Sequence, residues 1–139
     1  MNYLLDTCVL SEFTRRQPDQ RVGLWVDSVN EEKLFISVIT IGEIQRGVEK
    51  LPASTRKKDL SLWLNNDLVE RFHQRLVPLD APTMFLWGSL MANMERAGQT
   101  MALMDSLIAA TALSQNLVIA TRKVSDFTTC GVQVINPWD

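Results

Sequence analysis

The stretch Met1-Asn2-Tyr3-Leu4-Leu5-Asp6-Thr7 decides the fold. After Asn2 the run carries no strongly polar residue until Asp6, which predicts a short strand covered on both faces, as strands are at the centre of a parallel sheet. It ends on a carboxylate. Open parallel sheets bind ligands beyond the carboxyl ends of their strands. An ionised carboxylate is kept in such a place only if a cation, a proton or a hydrogen-bond network offsets its lost hydration. Two readings therefore compete for Asp6: part of a reaction centre, or the N-cap of a helix that starts near Thr7.

Outward from this strand, helical and strand patterns alternate. Residues 9–13 read as a short helix, and Asp19 precedes a second, with Val22, Trp25, Val26 and Val29 at helical spacing. Residues 34–37 form the next buried strand, residues 38–49 a helix stopped by Pro52, and residues 54–74 one long helix striped by Leu60, Trp63, Leu64, Leu68 and Phe72. A strand at 76–79 is weakened by Pro78. Helices follow at 81–97, closed by Gly98, and at 104–115, with strands at 117–121 and 132–135. Strands separated by helices predict an α/β fold with a parallel sheet, in a single domain over residues 1–139.

Composition narrows the function classes. A chain of 139 residues buries roughly two-thirds of its unfolded surface and needs no staples. With 46% apolar and 22% charged residues it reads as a soluble globular protein, and no segment nears the ~20 apolar residues of a membrane helix. No basic leader with a cleavage site is present, which predicts a protein that stays in the cytosol, without membrane contact. Cys8 and Cys130 offer neither a disulfide framework nor metal-site spacing. The single histidine, His73, excludes a histidine-based triad or a multi-histidine metal site within one chain. A net charge of −2 argues against holding nucleic acid by bulk electrostatics, while allowing a local basic patch.

Of 16 acidic residues, ten lie in polar or terminal contexts where solvation and surface pairing account for them. Asp80 reads as a helix cap, and Glu12 faces either solvent or the pocket. Four remain: Asp6, Glu43 early in a helix after the second strand, Asp105 opening the apolar helix, and Asp126 past the fourth strand. Each has a plain alternative. Glu43 can pair with Arg46 along its helix, Asp105 can simply suit a helix N-terminus, and Asp126 can start a turn before Phe127. Carboxylates gathered at one edge repel unless a divalent cation neutralises them. Oxygen-only ligands select Mg²⁺ or Mn²⁺ rather than Zn²⁺, and such a site suits metal-assisted phosphodiester hydrolysis. Arg46, Arg122 and Lys123 are candidates to hold the scissile strand or the neighbouring acids, whereas Arg15, Arg16 and Arg56-Lys57-Lys58 read as solvated faces. Trp25, Trp63, Met84, Phe85, Trp87, Met91 and Met94 read mostly as core, the remainder serving an interface.

The segments Leu4-Leu5-Asp6-Thr7-Cys8-Val9-Leu10-Ser11-Glu12, Ile41-Gly42-Glu43-Ile44 with Gly47, Met104 through Ala112, and Ala120-Thr121-Arg122 leading to Asp126-Phe127 resemble the PIN-domain nucleases. They are most similar to the VapC and FitB type, the toxins of bacterial toxin–antitoxin pairs, and Asn136-Pro137-Trp138 is similar to the FitB-like branch. The resemblance implies a three-layer α/β/α sandwich with a five-stranded parallel sheet, Mg²⁺-dependent endoribonuclease activity and a homodimer. It also implies inhibition by a small cognate DNA-binding antitoxin, with DNA reached only through that complex. Asp6, Glu43 and Asp105 match the family's core acids, Asp126 the fourth, and Thr7 is placed near the metal or its water.

Two positions depart from the pattern. Cys8 stands where Asn or Ser is common, and Lys123 where Asn or Asp is common. An ammonium at 123 either binds the substrate phosphate, pairs with Asp126, or weakens metal binding by repulsion. Lys123 thus keeps a rival reading open: a catalytically weak PIN-fold binding module that acts mainly as the antitoxin's partner in promoter autoregulation. Receiver domains and haloacid-dehalogenase-type phosphatases require a further early acid, which Asp6-Thr7-Cys8 lacks.

Overall fold

The computed structural model describes residues 1–139. Five short strands, β1 (Tyr3–Leu5), β2 (Leu34–Ser37), β3 (Leu76–Val77), β4 (Val118–Ala120) and β5 (Val134–Ile135), form one sheet in the order β3-β2-β1-β4-β5. Every pairing is parallel, and β1 lies in the middle, with Leu4 opposite Phe35 on one side and Ile119 on the other. The chain moves outward from β1 to β3 and then returns to the other side of β1 as β4. That reversal opens a crevice at the carboxyl ends of β1 and β4.

Alternation along the strands divides the core between the two faces. Leu5, Leu34, Ile36 and Ala120 pack on one face with α1 (Thr7–Glu12), α2 (Gln20–Ser28), α3 (Val38–Glu49) and the segment that starts with α4 (Thr55–Leu62). Leu4, Val77 and Ile119 pack on the other with α7 (Leu103–Gln115) and α8 (Val124–Phe127), while α6 (Ala81–Arg96) lies against α7. The result is a three-layer α/β/α arrangement. No helix is long and apolar enough to cross a membrane.

Helix starts follow the side chains that satisfy free backbone N–H groups. Asp6 accepts from the Thr7 amide at 2.9 Å, Ser37 from Ile39, Ser54 from Lys57, and Asp80 from Thr83 at 3.0 Å. Asp19 caps α2 through Arg21, whose side chain and backbone amide hold the carboxyl at about 2. A carboxylate depressed below its ordinary 3.8 adds stability above that value and loses it as the pH falls through about 2. The pair is solvent-exposed, so the effect on stability is small. Carboxyl NMR titration is expected to give Asp19 a midpoint near 2, and an ordinary midpoint would show that the Arg21 bond does not persist in solution.

The boundaries differ from the sequence pattern in instructive ways. The helix expected over residues 54–74 is broken by a π-helical segment, Trp63–Leu68, before a last turn, α5 (Val69–Arg71). Leu64, Leu68 and Phe72 are all buried and recur every four residues, a step that overshoots one α-helical turn by about 40°. A wider turn keeps the three on one side. The third strand stops before Pro78, and the residues around Asp126 form α8 rather than a turn. Of the aromatic and Met residues read as core, Met94 is buried, Trp25, Trp63, Trp87 and Met91 are half-covered, and Met84 and Phe85 lie exposed on α6. Helical spacing groups residues on a face without saying that anything covers it.

Candidate active site

β1 and β4 end side by side, and the Asp6 amide continues the ladder by donating to the Ala120 carbonyl at 3.0 Å. Asp6 is 1% exposed. Its Oδ1 accepts from the Thr7 amide and its Oδ2 from Thr121 Oγ1 at 2.8 Å. Thr121 in turn accepts from the Lys123 amide at 3.0 Å. Asp6 is therefore both helix cap and buried anion of the crevice, so its two sequence readings describe one residue. Thr121 has no role in the sequence reading. Its signal was the register that sets Leu5 beside Ala120, and so the next residue of each strand at the same edge.

Thr7 turns its hydroxyl toward α3 and donates to Glu43 Oε1 at 2.6 Å, tying that acid to the exit of β1. No ion pair joins Glu43 to Arg46. Arg46 instead lines a groove of about 510 Å³ with Thr7, Gly42, Glu43, Lys50 and Met104.

Lys123 supplies the cation of the centre. Its Nζ lies 2.8 Å from Asp105 Oδ1 and 3.8 Å from Asp6 Oδ2. Burial pulls the ammonium down, but the Asp105 hydrogen bond and the charges of Asp6 and Asp105 outweigh it, so its pKa lies above the usual lysine value. The pairing with Asp126 that local sequence offered does not form. Asp126 is exposed on α8, donates its amide to the Lys123 carbonyl, and shares a depression of about 420 Å³ with Asp105 and Thr100.

The remaining candidates point elsewhere. Arg122 reaches Glu12 at 3.8 Å and stacks over the Trp138 ring at 4.3 Å, on the α1 side of the sheet. Glu12 faces neither solvent nor the crevice. It is 4% exposed and accepts from the Asp19 amide at 2.8 Å, fixing the turn between α1 and α2. Cys8 Sγ lies 3.5 Å from Thr121 Oγ1, and burial raises its thiol above the ordinary value.

No three Asp, Glu, Cys or His side chains meet as a ready-made ligand set for a metal. What the structure does assemble is a pair, Asp6 and Asp105, converging on one positive charge, with Glu43 on the far side of Thr7. The donors are all carboxylate oxygens, the chemistry of a hard divalent cation.

Residues 3–123 match the family model described as PIN domain. The chain belongs to the PIN-domain family. This PIN-domain chain is 36% identical over 135 residues to the toxin FitB of Neisseria gonorrhoeae, covering 97% of each. It is 33% identical over 136 residues to VapC ribonuclease Y4jK of Sinorhizobium fredii, covering 98% of this chain and 97% of the relative. Among solved structures, FitAB bound to a DNA fragment superposes with a TM-score of 0.92 at 34% identity, covering 99% of this PIN-domain chain and 96% of that one.

Proposed function

We propose that the chain is a divalent-metal-dependent endoribonuclease, a single nuclease domain over residues 1–139 that acts as the toxin of a toxin–antitoxin pair in the cytosol. The observation that carries this reading is the convergence of Asp6 and Asp105 on one cation at the β1/β4 crevice. Full-length similarity to a protein named VapC ribonuclease and another named toxin FitB supports the substrate class and the role. Asp6, Asp105 and Glu43 would hold Mg²⁺, with Mn²⁺ as the alternative ion, and Asp126 would serve as an outer acid. When bound, the ion lowers the pKa of a water and offsets charge on the phosphate.

Within the chain, Thr7 orients Glu43, and Thr121 fixes the Asp6 carboxylate so that its charge faces the crevice. Arg46 and Lys50, on the groove beside Glu43, give the RNA backbone a cationic wall. Arg122 acts through Glu12 and Trp138, as a positioning residue. The FitAB structure with DNA supports a DNA-binding antitoxin as partner, DNA being reached through that complex. The exposed Met84 and Phe85 on α6 suit a homodimer surface.

The test is cleavage of a mixed RNA pool by the antitoxin-free protein. Cleavage is expected in Mg²⁺, lost in chelator and restored by Mn²⁺. RNA left intact under all three conditions would favour the rival binding module, for which the lysine seated on the two acids is the supporting observation.

A further inference from the structure

The ammonium at the centre of the crevice belongs to the chain itself. Lys123 approaches from the loop after β4, hydrogen-bonds Asp105 Oδ1 at 2.8 Å and lies 3.8 Å from Asp6 Oδ2. The two carboxylates are 13% and 2% exposed, so their charges are poorly screened by water. A divalent ion held by Asp6 and Asp105 would need the space the ammonium now fills. The two cations also repel at close range. The Lys123 side chain is 41% exposed, and its flexible stem leaves it a path back into solvent.

We infer that Lys123 is a tethered counter-cation that competes with the divalent ion for Asp6 and Asp105, so that the Lys123–Asp105 bond and ion binding exclude each other. The inference rests on the metal-dependent reading and deepens it. Before the ion arrives, Lys123 offsets one of the two negative charges and keeps the crevice assembled. Ion entry would break both ion pairs of Lys123 and release the ammonium to the rim, beside the depression shared by Asp105 and Asp126. The cost of breaking those two pairs appears directly as weaker ion affinity.

The experiment is calorimetric titration of Mn²⁺ and Mg²⁺ into the antitoxin-free protein, comparing wild type, Lys123→Gln and Lys123→Arg. Lys123→Gln is expected to bind Mn²⁺ at least about tenfold more tightly than wild type, because one competing charge is gone. Lys123→Arg, which keeps the charge, is expected not to tighten. Without ion, Lys123→Gln should melt below wild type, and saturating Mn²⁺ should raise its melting temperature more than that of wild type. A second readout needs no variant: the Lys123 Cε resonance of the wild-type protein should shift as Mg²⁺ is added and level off at saturation. Equal or weaker binding by Lys123→Gln, or a Cε resonance unmoved at saturation, overturns the competition while leaving the metal-dependent reading intact. No ion binding by any of the three proteins overturns that reading, and the inference with it.

Discussion

Asp6→Asn is expected to lower metal-dependent RNA cleavage at least about a hundredfold while leaving the fold in place, a loss typical of removing one charge-stabilising group from a reaction centre. The substituted amide keeps a carbonyl oxygen, so the Thr7 amide retains its cap and α1 its start. Thr121 Oγ1 can reorient to accept from the new amide nitrogen. What disappears is the negative charge at the one position where two strand ends meet. Lys123 keeps Asp105, so no buried charge is stranded. Cleavage of the RNA pool, read beside a thermal melt, checks both halves of the expectation. Full activity in a folded Asp6→Asn protein would remove this carboxylate from the reaction.

The second large effect lies away from the crevice. Phe72→Ala is expected to destabilise the fold by about 3–5 kcal/mol, the usual cost of emptying a fully buried aromatic site. Phe72 is 0% exposed and shares a core cluster with Leu34, Ile36, Leu64 and Leu68, while the guanidinium groups of Arg71 and Arg75 lie 5.2 and 4.7 Å from its ring centre. Arg75 also donates to the Leu34 carbonyl, so the residues around this ring hold the beginning of β2. That strand ends at Ser37, which launches the helix bearing Glu43. Urea unfolding measures the loss directly, and a drop in Tm on the order of 10 °C should accompany it. A loss under about 1 kcal/mol would mean that the site collapses around the missing ring.

The central strand and its terminal acid were legible in sequence because an apolar run ending in Asp has few other uses. Glu43 was legible as an acid early in its helix and Asp105 as a helix-start acid, although only the fold shows that Glu43 bonds Thr7 and Asp105 bonds Lys123. Partner choice was the weak point. Sequence proximity offered Arg46 to Glu43 and Asp126 to Lys123, but strand exits bring residues together that no local pattern relates. Glu12 escaped for the same reason: beyond its local pair with Arg15, its partners arrive from the cap of α2 and from beyond β4. The four-residue α8 is too short to show a period, and the π segment reads as ordinary helix because both conformations tolerate steps of four.

The placement of β1 between β2 and β4 has a consequence for biosynthesis. A ribosome delivers Asp6 and Glu43 well before Asp105, Thr121 and Lys123, and until β4 has emerged β1 has an open flank. Long-range pairing of this kind makes folding wait for distant residues. A nascent chain halted before β4 therefore carries no completed centre, and the acids of the crevice meet their cation only after the fourth strand has emerged.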